Sequence, residues 1–221
     1  MKKRCWLIVL IAALFWTGCQ NKNAVGDTII LLGKEKYIKP YRDLIPDSLF
    51  TRFATMMNID TTTEGYIPPN IEGAYRISPF EFCYSNSYQA PHQHDVYFKV
   101  SDQHNRTAKV ELYTHYNVIV DTAYIMGDGQ YFTLYFTERR DIHFYGVNQS
   151  FTRSVFITGE KEDDGIHNLM FGDIAFDCYA DNPYYYTYFP GWSNIYKDGN
   201  GLSENTDFFD NPNEIIDEPD E

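Results

Sequence analysis

The sequence predicts a mainly β fold. It reads as an antiparallel meander of about eight strands, closed into a barrel or stacked as a β-sandwich, with one short N-terminal amphipathic helix. Three observations carry this. Runs dominated by Val, Ile, Thr, Tyr and Phe recur between Gly73 and Asp177, and such side chains suit a pleated, half-buried surface. Hairpin turn signals punctuate the runs, the clearest being Met126-Gly127-Asp128-Gly129-Gln130, because Asp-Gly tolerates positive φ. Only one stretch of the chain repeats its apolar residues at helical spacing.

The N-terminal element is not part of that fold. Lys2, Lys3 and Arg4 precede an apolar run from Cys5 to Thr17. At roughly 13 residues it is shorter than the ~20 that a helical bilayer span needs, and it has the length of a signal h-region. Thr17-Gly18-Cys19 ends it. This junction resembles the lipobox of bacterial lipoproteins, with Trp16 where the family normally has Leu. The resemblance implies cleavage after Gly18, acylation of Cys19 and permanent attachment to a membrane, since two or more acyl chains give stable anchoring. Gln20 after the cysteine resembles the outer-membrane class. The run Gln20-Asn21-Lys22-Asn23 has no acid, which points to the periplasmic face. Residues 1–18 are thus expected to be a signal peptide and 19–40 a tether.

The β domain is expected over 41–197. Its helix begins at Asp47 or Ser48, where a short side-chain oxygen can accept from an early backbone N–H. Leu49, Phe53 and Met56, with Phe50 and Met57 beside them, form its apolar face. Pro68-Pro69 can neither continue a helix nor sit inside a sheet. The first strand starts at Gly73. Further strands are expected at Asp95–Val100, Ala108–Tyr116, Val118–Met126, Gln130–Glu138, Ile142–Tyr145, Ser154–Gly159 and Asn168–Asp177. The segment GYIPPNIEGAYRISP resembles one found in Bacteroides-type lipoproteins of uncharacterised function, in which it leads into a calycin-like barrel. Gly73-Ala74-Tyr75 also resembles the Gly-x-Trp that opens lipocalins. The resemblance implies a compartment and a fold, and no catalytic residues.

Charge narrows the partners. The 221-residue chain carries a formal net charge of −13, and a nucleic-acid binder needs Lys and Arg for the phosphates. From Asp198 to Glu221 there are acids but no Lys or Arg, the composition of a solvated tail. After processing, Cys83 and Cys178 are the remaining thiols. They form either a disulfide across the first and last strands of a closed barrel or two separate thiols.

Four features are candidates for chemistry. His92 and His94 stand two apart before a strand, so both imidazoles could face one metal, or they are plain loop histidines. Asp198, Asn200 and Glu204 have oxygen donors at a spacing near that of a calcium loop, or they belong to an acidic turn. Tyr184, Tyr185, Tyr186, Tyr188 and Trp192 make either a stacking platform for a ligand or an aromatic plug. Cys19 is the lipidation site. The signatures for serine hydrolases, phosphate loops, dinucleotide sites and zinc proteases are absent. The expected role is a lipid-anchored envelope module binding a small ligand or glycan. A component that binds an envelope protein partner is the alternative, with a hydrolase third.

Overall fold

A computed structural model describes residues 30–32, 35–37, 45–59, 67–86, 95–114, 117–144, 146–181 and 188–210. The chain divides into two units, Met1–Lys39 and Pro40–Glu221. The first holds a small antiparallel ladder of β1 (Ile30–Leu32) and β2 (Glu35–Tyr37).

In the second unit, helix α1 (Asp47–Met56) starts at Pro46, which has no side-chain cap bond. Asp47 favours the helix through the dipole of its first turn instead. Its buried face is Phe50, Phe53 and Ala54, continued by Met57. That is the expected helix, with the buried stripe rotated by one residue from the Leu49–Met56 line.

The strands are β3 (Gly73–Ile77), β4 (Phe80–Ser85), β5 (Val96–His104), β6 (Thr107–Thr114), β7 (Asn117–Asp128), β8 (Tyr131–Phe144), β9 (Val147–Glu162), β10 (Gly165–Ala180), β11 (Ser193–Asp198) and β12 (Leu202–Asn205). All pair antiparallel. β5 to β10 form the expected meander through tight turns. β3 pairs β5 at one end of it, and β12 pairs both β10 and β3. Eight strands therefore come round on themselves in a barrel-like ring. Followed once round, the register climbs by about 12 residues, a stagger that tilts the strands and widens the barrel.

The interior of that ring is packed with side chains. Tyr75, Phe98, Leu112, Ile125, Leu134, Phe136, Ile157 and Ile166 are fully buried in one cluster. A wide ring needs large residues to fill it, and the chain's 17% aromatic content supplies them. Tyr75 illustrates the fit. Its hydroxyl donates to the carbonyls of Ile71 and Glu72, and burial pushes its pKa up to about 12. A Cβ at Gly73, where φ is +151°, would meet the Tyr75 hydroxyl at 2.7 Å, so the spacing of this Gly and Tyr is a packing requirement.

Three expectations change. The break expected between Glu138 and Ile142 does not occur, and β8 is continuous. Its charged run Glu138-Arg139-Arg140-Asp141 stays in the strand because Arg153 on β9 pairs with Glu138, Asp177 on β10 pairs with Arg139, and Arg140 pairs with Glu138 two residues along the same strand. The acidic C-terminal segment is more than a solvated tail. Asp198 ends β11, Leu202–Asn205 is β12, and Phe208, in the 3-10 turn Phe208–Asp210, is buried with its ring stacked 4.1 Å from Tyr97. Residues 211–221 lie outside the described residues. Finally, Cys83 and Cys178 are both free. The ring closes through β12 instead of through β4, and β11 stands between β4 and β10. Tyr196 pairs with both Phe82 and Phe171. Cys178 therefore lies about six residues, or ~20 Å, further along the sheet than Cys83, far beyond the ~7 Å limit for a bridge.

Candidate functional site

Helix α1 lies on the outer face of β8, β9 and β10. Phe50 and Phe53 pack on Phe156, with ring centroids 5.8 and 5.3 Å apart. Gly172 allows the close approach, since a Cβ there would meet Met57 Sδ at 2.6 Å and Phe53 Cζ at 3.0 Å. Where the helix stops, this contact stops, and a cleft of about 740 Å³ remains beside the sheet.

Three local features build the cleft wall. Past α1, the N–H of Met57 bonds Phe53 O and that of Ile59 bonds Ala54 O, while Asn58 takes φ +53°. A left-handed Asn is a common helix stop. The β7–β8 hairpin turns through Gly129 and Gln130, which sets Asp128 opposite Tyr131. The β9–β10 ladder is bulged between His167 and Met170, with Asn168 at φ +51°, and bulges of this kind re-aim a side chain. The three features bring Asn58, Asp128, Tyr131 and Asn168 to one opening.

The floor is Thr133, Thr158, Gly159 and Met170, with Phe132 and Ile59 at its sides. Thr158 Oγ1 donates to the carbonyl of Met57 at 3.2 Å, tying the floor to the helix end. Asn168 Nδ2 donates to Glu160 Oε1 at 3.1 Å. Both residues line the cleft. Among the described residues, Asp128 and Glu160 are the acids of its lining, which holds no Lys, Arg or His. Tyr131 is 58% exposed.

A second cluster of charges lies on the inner face, above the apolar filling. Arg153 forms ion pairs with Glu138 and Asp173, the latter at 2.8 Å. Arg140 reaches Glu138 at 3.0 Å, and Asn194 Nδ2 donates to Asp173 Oδ1 at 3.3 Å. Burial pushes the Asp173 carboxyl up, against the pull of Arg153 and Asn194. Burial also raises the nearby Tyr196 to about 12, with the Asp173 charge adding to the shift. The groups are matched in charge and bonded to each other, so the cluster ties β8, β9, β10 and β11 together.

At the β9–β10 turn, His167 Nε2 is 2.8 Å from Asp164 Oδ1 and 3.9 Å from Glu162 Oε2. These three donors lie within 4.8 Å of one another and are of types that suit a divalent ion. They are at the surface, and the His167–Asp164 pair already satisfies its partners. Its hydrogen bond to the Asp164 carboxylate raises the pKa of His167.

The residues singled out from sequence are distributed as follows. Cys19, His92, His94, Tyr184, Tyr185 and Tyr186 lie outside the described residues. Tyr188 is half-buried and stacks on Phe151 at 4.1 Å, and Trp192 is buried beside it at 4.7 Å. Both belong to a small core with Ala175. The Trp192 indole N–H has no partner there. Asp198 is buried and accepts from the Asn200 N–H and the Ser203 hydroxyl. Asn200 uses its amide on Leu202 N and Ser78 O. These two shape the bend from β11 to β12, while Glu204 is exposed on β12. The cleft residues were not legible in advance. The Asp128-Gly129 turn signal locates one rim, but nothing in the sequence says that Asn168 shares it. Comparison with protein-family models, with curated proteins and with solved structures finds no match to this chain.

Proposed function

We propose that this protein is a lipid-anchored module of the cell envelope that holds a small ligand in the cleft at the end of α1. The cleft itself carries the reading. Its volume, about 740 Å³, falls in the ~300–1,000 Å³ range of ligand sites, where a few polar groups converge over an apolar floor. The barrel interior is filled in the described region, so an outer cleft is the better place for a ligand than the barrel axis. The Gly18-Cys19 junction supports anchoring through acylated Cys19, at the periplasmic face of the outer membrane. A partner-binding role is the second reading. It is favoured by Val118 and Val120, which are 57% and 56% exposed on the outside of β7.

One set of experiments tests both halves. Cys19→Ser should release the protein from the membrane fraction, and its retention there would end the anchor reading. Detergent-solubilised full chain is then screened for small molecules that raise its melting temperature. Thr55→Trp fills the cleft from an exposed position on α1 and should abolish such shifts. Stabilising compounds that act equally on the Trp variant would place the ligand elsewhere.

A further inference from the structure

We infer that the ligand of this cleft is a neutral, polyhydroxylated molecule of the sugar class; this rests on the cleft being a ligand site. The charge pattern excludes one large group of ligands. Asp128 and Glu160 line the opening with no cationic side chain among its lining residues, and the whole chain is acidic. A phosphate, carboxylate or uronate would have to approach two like charges, and His167, across the ladder from Glu160, is already paired with Asp164.

The hydrogen-bonding pattern then separates neutral from cationic ligands. A cation uses only acceptors. This rim offers both kinds of group. The carboxylates of Asp128 and Glu160 and the amide oxygen of Asn168 are acceptors. The Asn58 amide and the Tyr131 hydroxyl donate as well as accept. An ammonium group would use only the oxygens of these amides and hydroxyls and leave their N–H and O–H groups without a ligand partner, whereas a ring hydroxyl is donor and acceptor at once. A carboxylate takes two neighbouring hydroxyls on its two oxygens, with the added strength of an ionised acceptor.

The apolar surfaces complete the match. A sugar ring has a face of C–H groups between its hydroxyls. Tyr131, exposed at the rim, offers a flat ring with a polar tip, and Met170 on the floor and Ile59 at the side add apolar surface. The site is also held in place. Asp128 and Tyr131 are cross-strand partners in a tight hairpin, and Asn168 is fixed by its bulge and by the bond from its N–H to the Gly201 carbonyl at 3.0 Å. A fixed polar rim loses little entropy on binding.

The test is an array of neutral and acidic glycans probed with the detergent-solubilised full chain, with spermidine as the cationic control. We expect at least one neutral glycan to bind. Its affinity should change less than about twofold between 50 and 500 mM NaCl, because no ion pair is made. Tyr131→Ala and Asp128→Asn, both at exposed positions, should each weaken it by about tenfold or more without moving the melting temperature. Binding confined to acidic glycans, or to spermidine with steep salt dependence, would overturn the ligand class and leave the cleft reading intact if Thr55→Trp still abolishes it. Neutral glycan binding that survives all three substitutions would sink both readings. Silence of the whole neutral set overturns the inference. A non-glycan stabiliser still blocked by Thr55→Trp would then preserve the cleft alone.

Discussion

Arg153 shows how one residue holds three strands of the barrel. It extends from β9 between Glu138 on β8 and Asp173 on β10, and its side chain is 20% exposed. Arg suits this place because its planar fork serves two carboxylates at once and it does not lose its proton. Arg153→Met should cost about 3–5 kcal/mol at pH 7, because buried Asp173 loses its cationic partner and half-buried Glu138 is left with Arg140. The deficit should shrink on acidification. Burial already raises the Asp173 pKa, and losing Arg153 raises it further. A carboxyl with a raised folded value binds more protons in the native state, so stability falls as pH rises from the unfolded value of ~3.9 through the folded one. Urea unfolding of both proteins from pH 4 to 8 measures this. An equal deficit at every pH would show that Arg153 acts by packing alone.

At the scale of elements, the helix and the cleft are one arrangement. The face of α1 can approach the sheet because Gly172 presents no side chain beneath Met57 and Phe53. Gly172→Val should therefore destabilise the domain by about 1–3 kcal/mol, the usual cost of overpacking. Met57→Ala removes the Sδ atom that the new side chain would strike. The double mutant should recover part of the loss, a coupling that a double-mutant cycle in urea reads directly. Strict additivity would mean that the helix does not seat on Gly172. The helix itself was legible, since Leu49, Phe53 and Met56 recur at its period with Phe50 and Met57 beside them, although the buried face is Phe50, Phe53, Ala54 and Met57. Its docking surface was not, because Phe156 and Gly172 are over a hundred residues away and their alternation fits either face of a strand equally well.

At the scale of the whole molecule, ring closure depends on a short, late segment. β12 pairs with His167, Ile166 and Gly165 on one side and with Arg76 and Tyr75 on the other. Phe208 then stacks on Tyr97 and meets Tyr113 edge-on. A chain ending at Gly201 should lose cooperative unfolding and aggregate, because the edges of β3 and β10 become unpaired templates. Calorimetry and size-exclusion chromatography would show it. A truncated chain that stays monomeric and melts as sharply as the full one would mean that the ring is held without β12.

The sequence by itself determined the meander from β5 to β10, its tight turns and the helix α1. These are local matters: alternation decides strands, Asp-Gly and its kin decide hairpins, and a 3.6-residue period decides a helix. The acidic composition and the Gly18-Cys19 junction are likewise written in consecutive residues. Only the tertiary structure decided which strand closes the ring, where the two thiols end up and which polar groups meet in the cleft. Asn58, Asp128, Tyr131 and Asn168 come from a helix stop, a hairpin and a bulge. Each feature has a local cause, but their meeting depends on a register summed around the whole ring. A one-residue slip in that register turns every side chain of a strand to the opposite face.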